Sequence, residues 1–290
     1  MKVMFGHIIN PVIVNESSDL FLAQPITFES MRIAKAFSKA TVDVHLLSAQ
    51  FPEDRRLVPH DFEITPDLDQ SILDIAAFAQ RRRLPLLNDV LDRLYEAATD
   101  AHYLIYTNAD IALMPNFYSA VNRIAELGYD AFVINRRTIS KQYTDLDDLH
   151  IMFSQVGKKH PGYDCFVFKR TLYPYFNLGK ACIGANWIGK VLISNLICYA
   201  QEFHVFEDLH LTFHIGDDRS WKNPIYNDYD SYNRKQLHDI LMQYESQGLL
   251  QGKPLVHGFM RHIENRDVQG PSRLSSLRTK LKNYVRRTIS

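Results

Sequence analysis

A carboxylate that interrupts a strongly apolar run is the first place in this chain where chemistry could be done. In residues 103–114, YLIYTNADIALM, four residues of strand-forming character give way to Thr107, Asn108, Ala109 and Asp110 before apolar character returns at Ile111. A helix-capping role fits poorly, because the next helix is expected near Pro115, five residues beyond Asp110 and out of N-cap reach. Asp110 is therefore either a turn residue bonded to its own backbone or a hard oxygen ligand for magnesium or manganese. Such ions are often held by one or two protein carboxylates together with substrate phosphates, and Asn108 lies one side-chain step away on the same edge.

A second concentration of polar groups lies in residues 206–221, FEDLHLTFHIGDDRSW. On a strand His210, Thr212 and His214 share one face, since side chains alternate with period two. The His210–His214 spacing would suit zinc on a helix. The alternation and the β-branched content argue for a strand, however, and neither an HExxH run nor a third nearby cysteine supports a zinc hydrolase.

The elements that must position these groups read as follows. Strands are expected at residues 3–14, 42–47, from 103, and at 130–135. Helices are expected at 26–37 after Pro25, at 86–98 with Pro85 near its start, and at 115–127. Residues 51–70, rich in proline and charge, read as an excursion over the surface. This alternation implies an α/β fold with a mainly parallel sheet, and the carboxyl ends of parallel strands are where such sheets bind ligands. The second half is less regular, with strands at 163–170 and 209–215 and helices at 184–199 and 232–247. One domain over residues 1–268 is expected, followed by a basic tail over 269–290.

Composition narrows the function class. The chain has 290 residues, 46% hydrophobic and 23% charged, with 33 basic and 33 acidic side chains, so no global field favours nucleic acid. Residues 271–290 nevertheless hold six basic and no acidic residues. There Leu274, Leu277, Leu281 and Ile289 form one stripe and Arg273, Arg278, Lys280, Lys282, Arg286 and Arg287 the opposite face. This pattern suits either an anionic membrane surface or packing on the domain. Three scattered cysteines read as free thiols in a reducing compartment. The first residues read as a buried strand rather than a leader, and no run approaches 18 apolar residues. A cytoplasmic protein is expected, held peripherally on the inner face of the membrane if the tail binds there.

The segment YLIYTNADIALMPNFY resembles the metal-binding segment of GT-A nucleotide-sugar glycosyltransferases, with Asn108-Ala109-Asp110 standing where that family has an Asp-x-Asp motif. The resemblance covers residues 1–220, including AQPITFESMRIAKAF and RRRLPLLNDVLDRLYEAA. It implies a GT-A-like three-layer α/β/α fold and a metal-dependent transfer of sugar from a nucleoside diphosphate sugar to a hydroxyl acceptor, in glycan or glycolipid synthesis. It further implies Mn2+ or Mg2+ held by Asp110 and His214, with Asn108 on the metal or the ribose. Arg83 would face the nucleotide, and Asp217, Asp218 and Arg219 would line the phosphate pocket or form only a charged turn.

Asp164, in the run HPGYDCFVFKR, would meet the acceptor hydroxyl as general base. Where many inverting relatives carry a catalytic acid, IGANWIGKVLI has Asn186, Trp187 and Ile188. The base would then come from Asp164, Glu207 or Asp208, or the enzyme would retain configuration, and Trp187 reads as a packing or sugar-stacking residue, with the core favoured. Two alternatives stand behind this reading. One is a sugar-phosphate nucleotidyltransferase, which NPVIVNESSDLFL disfavours by lacking glycine after the first strand. The other is a catalytically degenerate domain serving as a membrane-docked interaction module.

Overall fold

A computed structural model describes residues 2–143, 145–216 and 223–269. The chain alternates strands and helices in its first half: β1 (Val3–Ile9), α1 (Asp19–Ser38), β2 (Val42–Ser48), β3 (Glu63–Ile64), α2 (Leu87–Ala97), β4 (Tyr103–Thr107), β5 (Ala112–Leu113), α3 (Phe117–Glu126) and β6 (Ala131–Ile134). There follow β7 (Arg137–Ile139), the single turn α4 (Leu149–Met152), β8 (Lys158–Lys159), β9 (Cys165–Lys169), α5 (Ile188–Tyr199), β10 (Phe203–Phe206), β11 (Thr212–Ile215), α6 (Asn227–Ser246) and α7 (Pro254–Gln269).

The main sheet has seven strands in the order β10-β6-β9-β4-β1-β2-β3. Only β9 runs against its neighbours, pairing antiparallel with both β4 and β6. Alternate side chains of the strands feed two cores. Ile8, Leu104, Tyr106 and Phe166 pack with α2, α5, α6 and α7 on one face. Phe5, Ile9, Ile105 and Val167 pack with α1 and α3 on the other. Both faces being covered is what lets the strands read as near-continuous apolar runs. The mainly parallel three-layer α/β/α arrangement expected from the sequence is the one found.

Three strands leave the main sheet and continue in a second, four-stranded sheet of order β5-β11-β7-β8. In chain order β4 passes into β5, β6 into β7, and β8 into β9. Strand β11 enters between β5 and β7, antiparallel to the first and parallel to the second. The polar residues between these strand pairs thus gather at one bend between the sheets.

Several boundaries differ from the sequence expectation for identifiable reasons. β1 stops at Ile9 because residues beyond it satisfy their backbones elsewhere. The Gln24 side chain accepts from Val12 N at 2.8 Å and donates to Val12 O at 2.9 Å, and Asp54 Oδ1 accepts from Ile13 N at 2.7 Å. Helix α1 starts seven residues before residue 26, because Ser18 caps it by accepting from Leu20 N and Pro25 is accommodated inside. Helix α5 begins at Ile188 rather than 184, since Trp187 before it is left-handed, with φ 75°. Strand β11 starts at Thr212, and helix α6 at Asn227. Helix α7 has no counterpart among the elements expected from the sequence. Its Val256, Phe259, Met260 and Ile263 complete the first core. The basic tail lies outside the described residues, and no helix among the described residues is long and apolar enough to cross a membrane. All three cysteines are free, as expected.

Directly beneath the bend, His7 is fully buried in β1 and bridges Tyr118 Oη through Nδ1 and Thr107 Oγ1 through Nε2, each at 2.9 Å. Burial without a countercharge pushes its pKa from 6.5 down to about 3. Below pH 6.5 the unfolded chain therefore takes up a proton that the folded chain refuses. The contribution of His7 is complete above that pH and is lost progressively as the pH falls toward 3. Denaturant unfolding should show stability falling by about 1 kcal/mol per pH unit between pH 6 and 4 on this account. A His7→Gln variant should have a shallower dependence; an unchanged slope would remove His7 as its source.

Candidate functional site

The link between β4 and β5 carries the residues that the sequence singled out. Asn108 closes a turn, its carbonyl accepting from Ile111 N at 3.1 Å, and its side-chain Oδ1 accepts from Tyr106 Oη at 3.0 Å. Asp110 faces β11, where His214 Nε2 lies 3.1 Å from its Oδ2. The other ring nitrogen, Nδ1, is 2.8 Å from the Gly216 carbonyl. A carbonyl can only accept, so Nδ1 carries the proton and Nε2 is the atom presented to Asp110. Asp110 Oδ1 is shut off from solvent and has no hydrogen-bond partner among the described residues.

The electrostatics follow from this contact. Burial alone would raise the proton affinity of Asp110. The hydrogen bond and charge of His214, the field of Arg136 and the residue's own amide outweigh it and hold the carboxyl below its usual range. Burial likewise disfavours a charged His214, yet Asp110 outweighs it and lifts the imidazole above its ordinary value. A proton shared between a carboxylate and an imidazole occupies the kind of position a divalent cation can take, one hard oxygen and one nitrogen donor converging on it. The unpartnered Oδ1 adds a further acceptor, so the residues present fit such an ion. No cluster of three or more histidine, cysteine or acidic side chains is found among the described residues. Asp217, Asp218 and Arg219 lie outside those residues.

The other two connections bring a second pair to the same bend. Arg136, between β6 and β7, forms an ion pair with Asp164, its Nη1 2.9 Å from Oδ1, and Asp164 sits immediately before β9. Both are buried, at 9% and 7% exposure. The Asp110 and Asp164 charges both reach Tyr106 and raise its pKa, though burial contributes more. The charge of Arg136 acts on both Asp110 and His214. These groups are therefore one electrostatic unit. The first turn of α5 lies against Asp164's neighbour, since a Cβ on Gly189 would come within 2.9 Å of the Tyr163 carbonyl.

Two expected residues lie apart from this unit. Arg83 pairs with Glu53 Oε1 at 2.6 Å and stacks over Phe51 at 4.1 Å, beside the segment that follows β2. Asp208 is bound by Arg137, and by Lys159 Nζ at 2.6 Å, stitching the β10–β11 connection to β7 and β8. The Lys159 hydrogen bond, with further help from both cations, keeps its pKa low. A carboxylate held in this way is a structural tie and a weak base. Trp187 is 8% exposed in the first core, as a packing residue should be. It touches His262 of α7 at 5.6 Å between ring centroids, with Lys190 Nζ 4.2 Å above its ring.

Arg136 was the site residue missed in the sequence. The available signal was the one that marked Asp110, namely an apolar strand, AFVI, giving way at once to polar Asn135, Arg136 and Arg137.

No protein-family model matches the chain, and no curated protein matches it in sequence. Solved structures do resemble it. Residues 1–349 of S. aureus TarS, in complex with UDP-GlcNAc, superpose with a TM-score of 0.53 at 8% identity, covering 91% of this chain and 72% of that one. The mannosyltransferase PcManGT from Pyrobaculum calidifontis, in complex with GDP-Man and Mn2+, gives a TM-score of 0.44 at 12% identity, covering 96% and 79%. The chain has the GT-A-like fold.

Proposed function

We propose that this chain is a metal-dependent glycosyltransferase that moves a sugar from a nucleoside diphosphate sugar to a hydroxyl acceptor. The observation that carries the reading is Asp110 at the carboxyl edge of a mainly parallel sheet, with Oδ1 unpartnered and His214 Nε2 set opposite Oδ2. The similarity to a TarS structure that holds UDP-GlcNAc supports it at the level of fold.

In this reading Asp110 and His214 would hold Mn2+ or Mg2+ beside the diphosphate. When bound, the ion neutralises charge gathering on the departing diphosphate, the term expected to dominate the barrier. Asn108 meets the metal or the ribose. Arg83, at the edge where β1 and β2 end, faces the nucleotide, and Asp217 and Arg219 contribute to the phosphate pocket. The acceptor oxygen forms its bond to the anomeric carbon as the bond from that carbon to the diphosphate oxygen breaks, and the electron pair leaves with the diphosphate. Asp164 Oδ2, which has no hydrogen-bond partner among the described residues, takes the proton of the acceptor hydroxyl. Asp208 is not assigned the base role, because cations occupy both its oxygens. The product belongs to glycan or glycolipid synthesis. The basic tail holds the enzyme on an anionic membrane surface.

Calorimetry with UDP and GDP, with and without manganese, should show nucleotide binding that requires the ion and that Asp110→Ala abolishes. Binding indifferent to both would remove this reading. In a hydrolysis assay without acceptor, Asp164→Asn should turn over nucleotide sugar within a few-fold of the native rate. With acceptor its transfer should fall 100-fold or more; equal losses in both would argue against a base. Flotation with anionic liposomes should retain the full chain and release one ending at Gly270. Retention of both would exclude the tail as the anchor.

A further inference from the structure

The Arg136–Asp164 ion pair is built in an unusual way for a purely structural one. Arginine and carboxylate usually meet through two parallel hydrogen bonds, which spend both carboxylate oxygens. Here Nη1 lies 2.9 Å from Oδ1, and the other carboxylate oxygen is left without a hydrogen bond among the described residues. Arg136 Nε and Asp164 Oδ2 are both buried and both without a hydrogen-bond partner among the described residues. His160 does not supply the missing proton. Its Nδ1 lies 3.6 Å from Asp164 Oδ2 but accepts the Gly162 amide at 3.0 Å, and its Nε2 lies 3.4 Å from Arg136 Nη2. One N–H donor and one carboxylate acceptor thus remain unspent on adjacent side chains at the bend that also holds Asp110. Leaving such groups dry and unpaired is costly unless a ligand completes them.

We propose that Arg136 and Asp164 form a fork for the vicinal diol of a sugar ring, one hydroxyl accepting from Arg136 Nε–H and its neighbour donating to Asp164 Oδ2. A phosphate fits less well, because the free carboxylate oxygen would repel it, whereas a diol offers one acceptor and one donor. The inference rests on the transferase reading and adds to it the residues that select the sugar. Because Asp164 Oδ2 is also the atom that takes the acceptor's proton, the diol is that of the acceptor sugar, and its donating hydroxyl is the one that attacks.

The test uses the full chain with manganese and compares native protein, Arg136→Lys, which keeps the charge without Nε, and Asp164→Asn. The probes are UDP, GDP, their hexose conjugates, and methyl hexopyranosides, whole and lacking one ring hydroxyl, as acceptors. Arg136→Lys should raise the KM for the methyl hexopyranoside at least tenfold more than it changes the affinity for nucleotide or nucleotide sugar. A tenfold loss of affinity for the hexose conjugate with the acceptor KM unchanged would place the contact on the donor and overturn the fork. Removing the matching acceptor hydroxyl should weaken the native protein by the same factor and the variant little. Native affinity and KM in both variants would overturn the fork, as would nucleotide and nucleotide-sugar affinity falling in parallel. A native chain that binds no nucleotide fails earlier and differently, taking away the transferase reading itself.

Discussion

The contact between Asp110 and His214 spans 104 positions of sequence and ties the β4–β5 link to β11. It exists because β11 enters the second sheet between the continuations of β4 and β6, so that His214 on β11 stands beside the β4–β5 link. A carboxylate so placed is desolvated, and a desolvated charge must be paired or neutralised. His214 and Arg136 meet that requirement, and the proton that His214 holds by virtue of Asp110 is the one a cation would displace.

The surrounding fold supplies rigidity and dryness. Both faces of the main sheet are buried under helices, so the bend is anchored by close-packed strands from three directions. His7 locks the end of β4 through Thr107 to Tyr118 of α3, one residue before Asn108. Close approach of β1 to the C-terminal end of α2 depends on Gly6, where a Cβ would come within 2.5 Å of Ala98. The same low polarity that makes unpaired groups costly also strengthens each remaining interaction at the bend. Three polar atoms of the site, on Asp110, Arg136 and Asp164, have no hydrogen-bond partner among the described residues and suit a polar ligand that brings both donors and acceptors.

Much of this was legible in the sequence, and the reason is periodicity. Strands β1, β4 and β6 are buried on both faces over most of their length and announce themselves as apolar runs, while β2 alternates before turning apolar at its end. Their sudden loss of apolar character at Thr107 marked the functional edge, and alternation placed His214 on one strand face. Helix α1 was shortened in the reading because Pro25 looks like a start; its cap at Ser18 and the Gln24 side chain, which donates to Val12 O and Leu20 O, make an interior proline tolerable there. The antiparallel insertion of β9 between β4 and β6 and the second sheet are long-range pairings with no local signature. Arg136 was hidden for that reason, since only the fold brings it to Asp164. Asp208 looked free in sequence, and its two cations come from β7 and β8.

The central claim of the proposed function is that Asp110 and His214 would hold a divalent ion beside a bound nucleotide. A crystal grown with UDP or GDP and manganese, with data collected at the manganese edge, tests it most directly. The account predicts one anomalous peak within coordination distance of Asp110 Oδ1 or Oδ2 and of His214 Nε2, with diphosphate oxygens on its open side. A nucleotide bound at the opposite edge of the sheet, or manganese bound away from Asp110, would contradict it.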